Sequence, residues 1–175
     1  MGKKSKSPRR QGRERAFQIL YGCCFFSVKK EDYLRRTFNN FIPENNEKNS
    51  PANIFAWELI NGVLENQDYL DQTIGQHSKN WRLNRIATVE LTVLRLAAFE
   101  MLFRKDVPIK VSINEAIELS KKYGDNNSSR FVNGILDAIA KKCERIDEFS
   151  LAEPEKNKID GDDLSEPGLS ENILE

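Results

Sequence analysis

A chain of 175 residues has room for one domain of ordinary size with its own hydrophobic core, and 39% hydrophobic against 31% charged residues is the balance of a globular protein. Its formal net charge of zero conceals a polarised molecule: residues 1–15 carry seven basic groups against one acid, a local charge of +6, and residues 147–175 carry ten acids against two lysines, a local charge of −8. These figures argue against a multidomain enzyme, and three cysteines (Cys23, Cys24, Cys143) with a single histidine, His77, argue against a disulfide framework or a zinc site of ordinary composition, so the chain reads as cytoplasmic.

Residues 1–8 have almost nothing to bury and read as a flexible basic arm. Apolar side chains at Ala16, Phe17, Ile19, Leu20, Cys23 and Cys24 then recur at helical spacing and predict a helix from near Pro8 to near Phe26, whose first two turns project arginines. Tyr33, Leu34, Phe38, Phe41 and Ile42 predict a second, short helix that stops at Pro43, followed by a polar loop. Pro51 opens a third helix with a periodic face from Ile54 through Phe55, Leu59, Ile60, Val63 and Leu64 to Leu70 and Ile74, and Gly62 marks a point of close packing.

Between Ile86 and Phe103, 13 of 18 residues are apolar; Glu90, Arg95 and Glu100 interrupt the run, which makes it the buried central helix of a second half rather than a membrane span. After the turn at residues 105–108, Ser112-Ile113-Asn114-Glu115 has the form of a capping box, with Val111 and Ala116 as an apolar staple, and Gly124 suits a left-handed C-terminal cap after Tyr123. The loop 125–128 leads to a last helix striped by Phe131, Val132, Ile135, Leu136, Ile139, Ala140 and Cys143. No strand signal competes, so the expected fold is all-α: about seven helices in two packed helical subdomains over residues 9–146, followed by a disordered acidic tail, residues 147–175.

Catalysis has little to work with. The aspartates at 160, 162 and 163 lack the glycine and the spacing of a calcium loop, there is no phosphate-cradling glycine loop, and no nucleophile has an evident base. The chain reads as a binder without a cofactor. Arg9, Arg10, Arg13 and Arg15, led in by Lys3, Lys4 and Lys6, form a cluster able to grip phosphate bidentately and to stack on bases; an acidic protein, a membrane surface or plain solvent are the other destinations of such an end. Tyr21 on the same helix suits base stacking or the core. Residues 126–131 put amides, hydroxyls, Arg130 and Phe131 at a helix N-terminus, a place for phosphate and base contacts, although Asn and Ser are also ordinary capping residues.

Four segments in this order resemble the NusB family of transcription antitermination factors: Arg9-Arg10-Gln11-Gly12-Arg13-Glu14-Arg15-Ala16-Phe17-Gln18-Ile19-Leu20-Tyr21, then Leu94-Arg95-Leu96-Ala97-Ala98-Phe99-Glu100, then residues 107–119 with Pro108, Lys110-Val111 and Ile113-Asn114-Glu115-Ala116, then Phe131-Val132-Asn133-Gly134-Ile135-Leu136-Asp137. The resemblance implies an all-helical protein that pairs with NusE, a small ribosomal subunit protein, on the single-stranded boxA RNA of ribosomal RNA leader transcripts, within an RNA polymerase antitermination complex that supports rRNA synthesis. By position it implies RNA contacts at Arg9, Arg10, Arg13, Tyr21, Asn127, Arg130 and Phe131, and a role in partner binding, or at the RNA site, for Glu90. Gln11 departs from the basic residue many members carry, and Asn127 stands where some carry a carboxylate.

These residues are expected to form one continuous RNA surface, and four phosphate contacts from Arg9, Arg10, Arg13 and Arg130 correspond to a log-log salt slope of about −3. The acidic tail is expected to compete with RNA for the arm at low salt. The rival readings are an accessory module for rRNA modification and a helical adaptor that binds protein only.

Overall fold

The computed structural model describes residues 7–25, 31–42, 49–78 and 83–151, with residues 31–33 and 143–151 described in backbone only. The expected arm up to Lys6 and the tail beyond Leu151 lie outside the described residues. Among the described residues seven α-helices follow one another: α1 (Pro8–Cys23), α2 (Glu31–Phe41), α3 (Pro51–Glu65), α4 (Gln67–His77), α5 (Thr88–Phe103), α6 (Ile109–Tyr123) and α7 (Ser128–Leu151), with a 3-10 turn at Leu83–Arg85 before α5. There is no strand among the described residues, and no helix among them is long and apolar enough to cross a membrane.

In the first group α1 lies on α3, with α2 at its edge. Gly12 permits the close approach: a Cβ there would sit 2.7 Å from the Ala52 carbonyl oxygen and 2.9 Å from Phe55 Cδ1. Phe17, Ile19 and Leu20 of α1, Leu34 and Phe38 of α2, and Phe55, Leu59, Ile60 and Val63 of α3 fill the space between these helices, each large side chain contributing about 1.5–3 kcal/mol of transfer free energy. The second group is α5, α6 and α7, closed by Leu94, Leu96, Leu119, Val132, Leu136 and Ile139. Helix α5 joins the two groups, with ten of its sixteen residues buried, and Gly62 of α3 faces the Phe99 ring of α5 with no space for a side chain. Helix α4 is fastened to α5 by Asp71, which accepts two hydrogen bonds from the Arg95 guanidinium at 2.7 and 2.8 Å.

Some local features depart from their sequence pattern. The third helix is two helices: the chain breaks at Asn66, whose side-chain amide donates to the Gly62 carbonyl at 2.8 Å, closing α3, while its own carbonyl accepts from the Leu70 amide and starts α4. The apolar periodicity from Ile54 to Ile74 hides this break because both helices pack against α5. The capping box does not form. A Ser112 cap requires Ile113 as the first helical residue, whereas α6 starts four residues earlier, at Ile109 behind Pro108. Ser112 therefore lies inside the helix with its hydroxyl buried, and Val111 is exposed. Pro108 takes over because its fixed φ suits the cap position and its carbonyl accepts from the Val111 and Ser112 amides. Gly124, expected in the left-handed region, has φ −95° and ψ −170°, an extended conformation. Helix α7 runs on to Leu151, past the expected boundary at residue 146.

Candidate nucleic-acid interface

Helix α1 starts where Ser7 accepts a hydrogen bond from the Arg10 amide at 3.3 Å and Pro8 occupies the first turn. The helical period then sends its arginines to different places. Arg9 and Arg10 are on the outside. Arg9 donates to the Asp106 carboxylate at 3.0 Å and to the Asp106 carbonyl at 3.3 Å. Arg10 reaches α6, with Nε 3.5 Å from Glu115 and Nη2 3.3 Å from Glu118. Arg15 donates to Asn53 of α3.

Arg13, expected among the RNA contacts, is turned inward and only 4% exposed. Its Nε donates to both Glu100 carboxylate oxygens at 2.9 and 3.0 Å, and its guanidinium lies 5.2 Å from the centre of the Phe55 ring. Burial raises the Glu100 pKa, and the Arg13 hydrogen bond and charge work against that rise. The same ring also carries Arg9 at 5.5 Å and Arg104 at 5.3 Å. Arg104 is held by Asp106 and Glu58, and Asp106 has its pKa lowered to about 2, first of all by the Arg104 hydrogen bond.

Further along α1, Glu14 accepts from Lys122 and, at 2.8 Å, from the Tyr123 hydroxyl, which itself accepts from Gln18 at 2.9 Å. Early α1 therefore meets residues 106–118, and middle α1 meets the end of α6. Tyr21 is half-buried, stacked 6.0 Å from Phe17 and edge-on to Phe25 at 5.1 Å; Phe25 is 60% exposed.

The start of α7 is fixed by Asp125, whose carboxylate accepts from the amides of Asn127 and Ser128 at 2.8 and 3.0 Å; these bonds lower its pKa. Ser128 is buried, and its hydroxyl donates to Glu90. Glu90, expected to meet a partner, is itself 9% exposed, so its carboxylate faces the α7 start instead of the surface. Asn127 and Arg130 are exposed, and Phe131 is half-buried against the core.

From Arg10 to Tyr21 α1 advances eleven residues, about 16 Å, and the exposed Lys121 and Lys122 of α6 lie along that length before the loop to Asn127 and Arg130. Arg9 and Arg10 thus join Lys121 and Lys122 along the seam between α1 and α6, and the chain runs on from the end of α6 to the α7 start. Sequence reasoning missed Lys121, Lys122 and Phe25. The lysines stand in the last turn of α6, an ordinary place for cations that draws no attention in sequence; Phe25, one helical turn after Tyr21, carries the spacing that identifies it.

The NusB family model matches residues 10–141. The transcription antitermination protein NusB of Desulfovibrio desulfuricans is 45% identical over 165 residues, covering 91% of this chain and all of that protein. That of Myxococcus xanthus is 46% identical over 132 residues, covering 75% and 94%. Among solved structures, T. maritima NusB aligns with a TM-score of 0.71 at 40% identity, over 83% of this chain and 99% of that one. A crystal structure of antitermination factors NusB and NusE in complex with dsRNA aligns with a TM-score of 0.68 at 28% identity, over 79% and 99%. With a match spanning most of its length and relatives this similar, the chain belongs to the NusB family.

Proposed function

We propose that this protein is a transcription antitermination factor that binds single-stranded boxA RNA of ribosomal RNA leader transcripts together with NusE, in an RNA polymerase assembly that prevents premature termination and supports rRNA synthesis. What carries the reading is the strip of surface cations along α1 and α6, Arg9 and Arg10 and then Lys121 and Lys122, with Arg130 exposed on the helix that follows. Charge supplies most of the affinity and unstacked bases supply the selectivity. Tyr21 with Phe25 offers rings for stacking, Asn127 offers an amide, and Phe131 seats the first turn of α7 in the core. Glu90 acts through Ser128 by holding that turn in place.

The test is a titration of labelled boxA RNA with and without NusE, using single-stranded and duplex forms, on the wild type, Arg10→Ala and Arg130→Ala. Both variants should bind more weakly. With Arg13 buried, three arginine contacts give a log-log salt slope of about −2, steepening to about −3.5 when both lysines take part. A slope near zero refutes the electrostatic reading. A second reading, an adaptor that binds protein without RNA, draws support from Tyr69 and Phe103, exposed aromatic neighbours 5.9 Å apart; absence of RNA binding with and without NusE would favour it.

A further inference from the structure

Arg9, Arg10, Lys121 and Lys122 already have carboxylate partners in the free protein. Glu118 takes Arg10 through one oxygen, 3.3 Å from Nη2, and Lys121 through the other, 3.0 Å from Nζ, while Glu115 is 3.5 Å from Arg10 Nε. Asp106 takes Arg9 and Glu14 takes Lys122. Carboxylate and phosphate offer a guanidinium the same bidentate acceptor geometry, so an RNA phosphate must displace an internal acid at each position it occupies.

We propose that Glu118 is an affinity-setting residue: an internal stand-in for phosphate that parks Arg10 and Lys121 and weakens RNA binding. This rests on the RNA-binding reading above. Glu118 is suited to the role because it engages two cations at once from an exposed position on α6, where its removal leaves the core intact. Exposed ion pairs are individually weak, so the acid competes with phosphate without closing the site to it.

The experiment compares Glu118→Gln with wild type and with Glu65→Gln, which removes an equal charge from an exposed position at the end of α3, by fluorescence anisotropy with single-stranded boxA RNA over a salt series. Glu118→Gln should bind roughly three- to tenfold tighter at low salt, with a salt slope steeper by about 0.7 for each cation released to phosphate, and Glu65→Gln should change little. Unchanged or weaker binding by Glu118→Gln overturns the proposal, since a weaker complex means that the acid orients Arg10 for RNA. Equal tightening by Glu65→Gln also overturns it, because overall charge then accounts for the effect. If wild type and Glu118→Gln both fail to bind any RNA, the functional reading itself falls.

Discussion

Arg13→Ala separates the two roles that the arginine cluster combines in sequence. The substitution removes the partner of a carboxylate that is 1% exposed and strips a cation from the Phe55 ring. Removing one member of a buried pair costs about 3–5 kcal/mol, and for a chain of this length about 3 kcal/mol corresponds to a melting temperature lower by roughly 6–12 °C. The loss depends on pH. Burial already raises the Glu100 pKa, so the folded state takes up a proton more readily than the unfolded state, and stability declines as pH rises through the interval between the two pKa values. Without Arg13 that interval widens, and the variant should be closer to wild type at about pH 5 than at about pH 8. Denaturant titration followed by circular dichroism measures this directly. RNA affinity, taken well below the melting temperature, should change less than twofold. A variant with wild-type stability and lost RNA binding would refute the inward assignment.

Two other outcomes follow from the packing and the charges. Gly62→Ala should cost about 1–3 kcal/mol in denaturant titration, because its methyl group overlaps the buried Phe99 ring; no change would mean that α3 and α5 separate easily. On acidification, the Asp106 contribution is complete above its ordinary pKa and is lost as pH falls toward about 2, so Asp106→Asn should flatten the acid limb of the stability curve between about pH 4 and 2, and an unaltered limb would show that its pairs with Arg104 and Arg9 do not stabilise the fold.

The helices are legible because their apolar stripes are long and regular: α5 and the start of α7 have the buried faces their spacing implies, and Gly62 is the close contact its place in the stripe suggests. Arg13 stands three, four and seven residues before Ala16, Phe17 and Leu20, so the helical period already puts it on the buried stripe; what periodicity does not encode is the partner it meets there. That partner is supplied only when α5 is packed on α1, which brings Arg13 to Glu100. Glu90 likewise shows no partner in sequence until Ser128 is brought to it from 38 residues away. The Ser112 box fails for a local reason, since Pro108 offers an earlier start that competes with the serine. Lys121 and Lys122 escape notice in sequence because their significance depends on the neighbouring α1.

The Phe55 ring, shared by Arg9, Arg13 and Arg104, ties an outward arginine to the interior. A long side chain that is free in solution loses up to about 2 kcal/mol of rotamer entropy when it is immobilised. Arg9 is partly ordered before any ligand arrives, so less of that freedom remains to be lost on docking. If Arg9 contacts RNA as proposed, pre-organisation of this kind strengthens the complex, and an interior aromatic residue on α3 then contributes to affinity at a surface it never touches.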